Sequence, residues 1–193
     1  MQPLIPNRVI GGILAIVVLV AAAFFMGFLP IRSYSIPSGS MMPTLQVGDY
    51  LLVAKSKVPK RGQVVVYKSV DRDFAMVGRV MAVPGDTIAI LESGHVLLNG
   101  KELGLVQRGS ELFEEQMAEV VHPVLLMADA PRFGFPYAGA RNAFTVGQDQ
   151  FFALGDNRDN ARDSRYQGPI PVANLIGRVI TAGPTWPGLN RIN

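Results

Sequence analysis

VGRVMAVPGDTIAILESGHVLLNG, residues 77–100, alternates short apolar runs with turn-forming residues. It predicts three strands, Val77–Val83, Thr87–Leu91 and His95–Leu98, each of ordinary strand length and rich in Val, Ile and Leu. Pro84-Gly85-Asp86 parts the first two runs. Asn99-Gly100 closes the third, because this pair accepts the positive φ angles that a tight hairpin demands. Outward from this stretch the same language predicts strands at Tyr50–Ala54, Gln63–Lys68, Phe151–Ala153 and Leu175–Thr181. Between about Leu105 and Asn142 the periodicity is unclear, and irregular hairpins or loop are expected, with one helical candidate at Ser110–Met117. The fold class is mostly β, one domain behind an apolar N-terminal helix.

That helix is read from residues 9–29, VIGGILAIVVLVAAAFFMGFL, which carry no charge. As a helix the run extends about 31 Å and matches the hydrocarbon core of a bilayer. The expected organisation is a tail over 1–8, a transmembrane helix over 9–29 and a β-rich domain over 30–193. A cleaved secretory peptide is the competing reading, since Arg8 precedes the run and Ala21-Ala22-Ala23 resembles a cleavage site. The charges encode orientation weakly: Arg8 stands on one side, Arg32, Lys55 and Lys57 on the other.

Of the 193 residues 49% are apolar and 17% charged, which excludes a disordered chain. The net charge is +3, but its basic residues are scattered with no basic and aromatic stripe, so nucleic acid is not an expected partner. The absence of cysteine excludes disulfides, thiol catalysis and cysteine-ligated metal.

Shortly after the apolar run comes Ser38-Gly39-Ser40-Met41-Met42-Pro43-Thr44. Serine is a weak nucleophile that needs a base for its proton and donors for the oxyanion. Gly39 lets a substrate backbone approach Ser40, and Ser38 can aim a second hydroxyl at the same centre. Taken alone, two serines in a turn are usually just a solvated turn.

Several spaced segments together resemble the type I signal peptidases. Ile36 to Leu45 looks like their nucleophile segment and Gly48 to Val53 like the following strand. Gly78 to Asp86 resembles the segment that carries their base, and Gly155-Asp156-Asn157-Arg158-Asp159-Asn160-Ala161-Arg162-Asp163-Ser164-Arg165 is similar to their acidic and basic signature. The resemblance covers roughly residues 31 to 180. It implies a serine endopeptidase that removes signal peptides from exported preproteins, a single-pass protein of the cytoplasmic (inner) membrane with its main domain outside. It implies no metal or other cofactor, the lipid bilayer as a partner, and leaves the oligomeric state open. Ser40 is then the nucleophile, and its N–H with the Ser38 hydroxyl the oxyanion hole. Ile36, Pro37, Met41, Leu45, Met76 and Val77 line pockets for small residues before the cut. Asp163 and Arg165 form a supporting ion pair, with Asp156, Asn157 and Arg158 shaping the same wall.

Two positions depart from the pattern. Where the bacterial family has its lysine base this chain has Gly78, and where a serine orients that lysine it has Ala161. The two changes fit, since a hydroxyl that orients an amine has no task without it. Lys68, Lys55, Lys57, Lys60, His122 and His95 are the remaining candidates for a base within the chain, with a partner subunit or water as the other sources. Two expectations follow: an endopeptidase with another base, or a catalytically impaired homologue that binds signal peptides or assists an active peptidase.

Overall fold

The computed structural model describes residues 7–25, 30–127, 136–138, 143–184 and 190–191, in two compact units, Met1–Arg32 and Ser33–Asn193. In the first unit, helix α1 spans Asn7–Phe25, as the unbroken apolar run predicts. Its side chains are described over 9–23, and from Val9 to Val20 the large ones stand exposed. Apolar surface all round a helix calls for an apolar surrounding. Among the described residues no helix is long and apolar enough to cross a membrane; 26–29, the end of the predicted span, lie outside them.

Among the described residues, the second unit is built of β-strands with only short helical turns. Its strands are β1 (Ile31–Ser35), β2 (Tyr50–Lys55), β3 (Val64–Lys68), β4 (Ala75–Ala82), β5 (Thr87–Ile90), β6 (Val96–Leu98), β7 (Lys101–Glu102), β8 (Gly104–Gln107), β9 (Leu112–Met117), β10 (Val120–Leu125), β11 (Phe144–Thr145), β12 (Gln150–Leu154), β13 (Ile170–Pro171), β14 (Leu175–Gly183) and β15 (Asn190–Arg191). The large sheet runs β1-β2-β14-β3-β4-β12-β13, with β15 also on β14. A second sheet runs β11-β5-β6-β7 and a third β10-β9-β8. The Asn99-Gly100 pair adopts φ of 52° and 77° and joins β6 to β7, as its composition requires.

β3 sits mid-sheet and is buried on both faces. Its alternate side chains enter two cores: Val64 and Val66 join Leu51, Val53 and Val179, while Val65 and Tyr67 join Val80, Phe151 and Ile170. A third core gathers Met81, Ile88, Ile90, Leu98, Met117 and Phe152 between the sheets.

Two expectations are corrected. The helical candidate Ser110–Met117 is strand β9, paired with β8 and β10. Glu115 points inward there, 1% exposed, to meet Arg158, so the polar residue at a core position masks the period of two. Where irregular hairpins or loop were expected from about Leu105, the stretch begins as two regular hairpins, β8 to β9 and β9 to β10, and 128–135 and 139–142 lie outside the described residues.

Candidate active site

The turn that carries the two serines is held by its apolar neighbours. Ile36, Met41 and Leu45 are buried in the core shared with β2, β3 and β14. Backbone bonds from Ile36 N to Asp49 O (2.9 Å) and from Gly48 N to Ile36 O (2.8 Å) close the loop between β1 and β2. Gly39–Met41 forms one 3-10 turn, closed by Met42 N donating to Gly39 O at 3.1 Å. With Met41 turned inward, Ser38 stays exposed and Ser40 half-buried, and their Oγ atoms lie 3.3 Å apart.

The facing wall is the segment after β12, and it is tied to the serine turn directly. Asn157 N donates to Ser40 O at 3.0 Å, and Asn157 Nδ2 to Gly39 O at 3.1 Å. Gly155 makes this approach possible: a β carbon there would stand 2.5 Å from Ser40 O and 2.4 Å from Ala161 Cβ.

Buried ion pairs hold the wall's own shape. Asp163 caps the short helix α2 (Ser164–Gln167), accepting from Arg165 N at 3.1 Å, from the Arg165 guanidinium at 2.8 Å and from Gly155 N at 3.0 Å. Arg79 Nε and Nη2 grip Asp156 at 2.9 and 2.7 Å, and Thr44 donates to the same carboxylate. Arg158 pairs in fork geometry with Glu115 at 3.0 and 2.6 Å. Burial alone would raise the Glu115 carboxyl, but Arg158 and His122 outweigh it and lower it to about 2.

Ser38 and Ser40 open into a cleft of about 690 Å³, lined also by Tyr67, Met76, Val77, Gly155, residues 159–163 and Tyr166. Two predicted pocket residues, Met76 and Val77, therefore join the serines in the cleft. Ile36, Met41 and Leu45 lie in the core instead, and Pro37 is exposed. Asp163 and Ala161 line the cleft, whereas Asp156, Arg158 and Arg165 support its wall from behind.

At the position matched to the base, Gly78 is buried in β4. A β carbon there would meet Ala153 Cβ at 3.3 Å and Leu154 O and Tyr67 Cε1 at 3.4 Å. No lysine is among the described residues of the cleft. Lys55, Lys57, Lys60 and Lys68 are exposed, the first and last at the ends of β2 and β3. His95 pairs with Glu102. His122 is 2% exposed, its Nε2 standing 3.1 Å from Glu115 Oε2 but off the line that a hydrogen bond needs. Burial pushes its imidazole down, and Glu115 offsets part of that.

Sequence reasoning missed Tyr67, the Arg79–Asp156 pair and the Arg158–Glu115 pair. Tyr67 had a signal in its place in the QVVVYK run, where the period of two sets it on the face of Val65 and away from that of Val66. The ion pairs join residues 77 and 43 positions apart, beyond any local pattern.

The sequence profile described as signal peptidase, peptidase S26, matches residues 9–182. The chain belongs to this family. It is 29% identical over 192 residues to signal peptidase I of Pseudomonas aeruginosa, a match covering 81% of this chain and 66% of that protein. The similarity to signal peptidase I of Leptolyngbya laminosa is 30% over 203 residues, covering 99% of this chain and 86% of the relative. A probable signal peptidase I-2 of Synechocystis sp. is 32% identical over 162 residues, covering 79% and 62%. This family member thus spans a little under two thirds of the length of the Pseudomonas relative and more of the Leptolyngbya one. Among solved structures, signal peptidase I of Enterococcus faecalis matches with a TM-score of 0.40 and 20% identity, over 62% of this chain and 95% of that one.

Proposed function

We propose that this S26 family member is a membrane-anchored serine endopeptidase of the signal peptidase I type, with Ser40 as nucleophile. The observation that carries the reading is the open Ser38–Ser40 pair, clasped through the Ser40 carbonyl to the loop that the Asp163–Arg165 pair stiffens. Ser40 Oγ attacks the scissile carbonyl, and the Ser40 N–H with the Ser38 hydroxyl receives the negative charge that develops on oxygen. The amine leaves, and water then hydrolyses the acyl-serine. Ile36, Pro37, Met41 and Leu45 would shape the surface beneath small substrate residues, with Met76 and Val77 facing them directly. β12 stops at Leu154, opposite Arg79, so the stretch Ala75–Val77 of β4 is paired with β3 on one side only. An extended segment can add its backbone there while the pockets select alternate side chains.

The anchor would be residues 9–29, crossing the cytoplasmic membrane once, with 30–193 on the outer side beside the signal peptides of exported preproteins. Gly78 favours a second reading, a catalytically impaired homologue that binds such peptides or assists an active peptidase. The test uses the full chain in detergent with a peptide carrying alanine at the first and third positions before the cut. Cleavage that Ser40→Ala abolishes supports the endopeptidase. Peptide binding with no cleavage above the Ser40→Ala background selects the second reading. A Gly78→Lys, Ala161→Ser variant that gains activity would identify the base as the missing part.

A further inference from the structure

Arg162 is the one basic side chain among the described residues that line the serine cleft. Its backbone is fixed from both sides. Ala161 borders the serine turn, since a β carbon at Gly155 would stand 2.4 Å from Ala161 Cβ and 2.5 Å from Ser40 O, and Asp163 accepts from Gly155 N at 3.0 Å. The Arg162 side chain is 56% exposed, and its Nη2 donates at 2.6 Å to Asp71 Oδ2 in the segment that joins β3 to β4. The Ser69 hydroxyl takes Asp71 Oδ1 at 2.9 Å, so the pair is held by a single hydrogen bond and not by a fork. The remaining N–H groups of Arg162 have no protein partner among the described residues. A salt bridge this open is weak and screened, so it holds the guanidinium in place without using up its capacity for a second carboxylate. The acidic groups of the cleft are engaged elsewhere: Asp163 accepts from Arg165, and Asp159 from Met127 N.

We infer that Arg162 is a specificity residue of this cleft, its guanidinium receiving the carboxylate of an acidic residue of the bound peptide close to the scissile bond. The inference deepens the proposed reading of the cleft as a peptide site and rests on it. Successive Cα atoms are about 3.8 Å apart and an extended peptide advances about 3.3 Å per residue, so a guanidinium one residue beyond Ala161 meets positions within about three of the cut. A planar guanidinium with free N–H groups suits a carboxylate, and it repels a peptide lysine at the same place. Asp71 stands against the same guanidinium and opposes a second negative charge, so it moderates the preference and does not create it.

The test uses the full chain in detergent and a set of the alanine-containing peptides, each with one Asp, Asn or Lys at the second position before the cut or at the first, second or third after it. Binding is measured by fluorescence anisotropy in the Ser40→Ala background, and cleavage as kcat/KM with Ser40 intact. At one or more positions Asp should be favoured over Asn by about three- to tenfold in both readouts, with Lys disfavoured. The preference should shrink in about 1 M salt. Arg162→Gln should erase it with Tm within about 2 °C of the unmodified chain, since the pair it breaks is exposed. Arg162→Glu should transfer the preference to Lys at the same position, and Asp71→Asn should enlarge the preference for Asp. Equal handling of Asp and Asn peptides at every position overturns the inference and leaves the endopeptidase standing. So does a preference that survives Arg162→Gln, or one that Arg162→Gln removes and Arg162→Glu does not reverse, which marks Arg162 as structural. The same preference in binding, with no cleavage above the Ser40→Ala background, supports the inference and overturns the endopeptidase. Neither binding nor cleavage of any peptide overturns both.

Discussion

Glu115 keeps its charge in the interior because Arg158 meets both of its oxygens, and His122 sits against the same carboxylate. A buried pair of this kind adds little against an apolar substitute, but removing one partner strands the other. Glu115→Gln should therefore cost about 3–5 kcal/mol in a urea titration at neutral pH. The pH dependence follows from the two groups separately. The folded chain resists protonation of Glu115, holding it at about 2 against an ordinary 4.5. Its contribution is complete above about 4.5 and drains as pH falls toward about 2. His122 is held below its ordinary 6.5, so the unfolded chain takes up that proton first, and stability declines as pH drops below 6.5. The urea midpoint should fall in both windows, and the lower one should flatten in Glu115→Gln. Asn99 and Gly100 were legible at this scale because two adjacent residues decide their own φ angles. Glu115 was not, because its partner is 43 positions away.

At the scale of elements, Gly155 on the cleft wall and Gly78 inside β4 make opposite demands. Gly155 lies where the strand-end loop touches the serine turn, and a methyl there collides with the Ser40 carbonyl oxygen at 2.5 Å. Gly155→Ala should lower stability by about 2 kcal/mol in thermal melts and remove the proposed Ser40-dependent cleavage with it, because the serine turn must shift. Gly78→Ala meets its neighbours at 3.3–3.4 Å and should change stability by less than about 1 kcal/mol, leaving the scaffold ready for longer side chains. The strands that read clearly in the sequence, from β2 through β6 and then β12 and β14, are those whose apolar runs are bounded by Gly, Pro and Asn. β9 and β10 read only as irregular hairpins or loop, because Glu115 and His122 occupy inward positions that strand patterns reserve for apolar residues. The cleft itself was legible only through resemblance: no local rule brings Ser40 to Asn157, while the family pattern gives both segments together.

For the whole molecule, the chain divides into two compact units, Met1–Arg32 and Ser33–Asn193, and the proposed anchor falls in the first. On the proposed reading, removing residues 1–29 should leave the far-ultraviolet spectrum of the β unit and the proposed Ser40-dependent cleavage of a soluble peptide within about twofold, while abolishing sedimentation with lipid vesicles. Loss of the β spectrum on truncation would mean that the N-terminal segment is needed for the fold. The clasp between Asn157 and the serine turn has a further consequence for synthesis. The Asn157 side-chain amide and the Gly39 carbonyl that it meets are 118 positions apart, and the loop that carries Asn157 lies in the last fifth of the chain. A ribosome adding roughly 5–20 residues per second delivers the serine turn several seconds or more before its counterpart. During that interval the nascent chain carries a serine turn whose facing wall has not yet been made, so the cleft is completed only when the last strands of the sheet arrive.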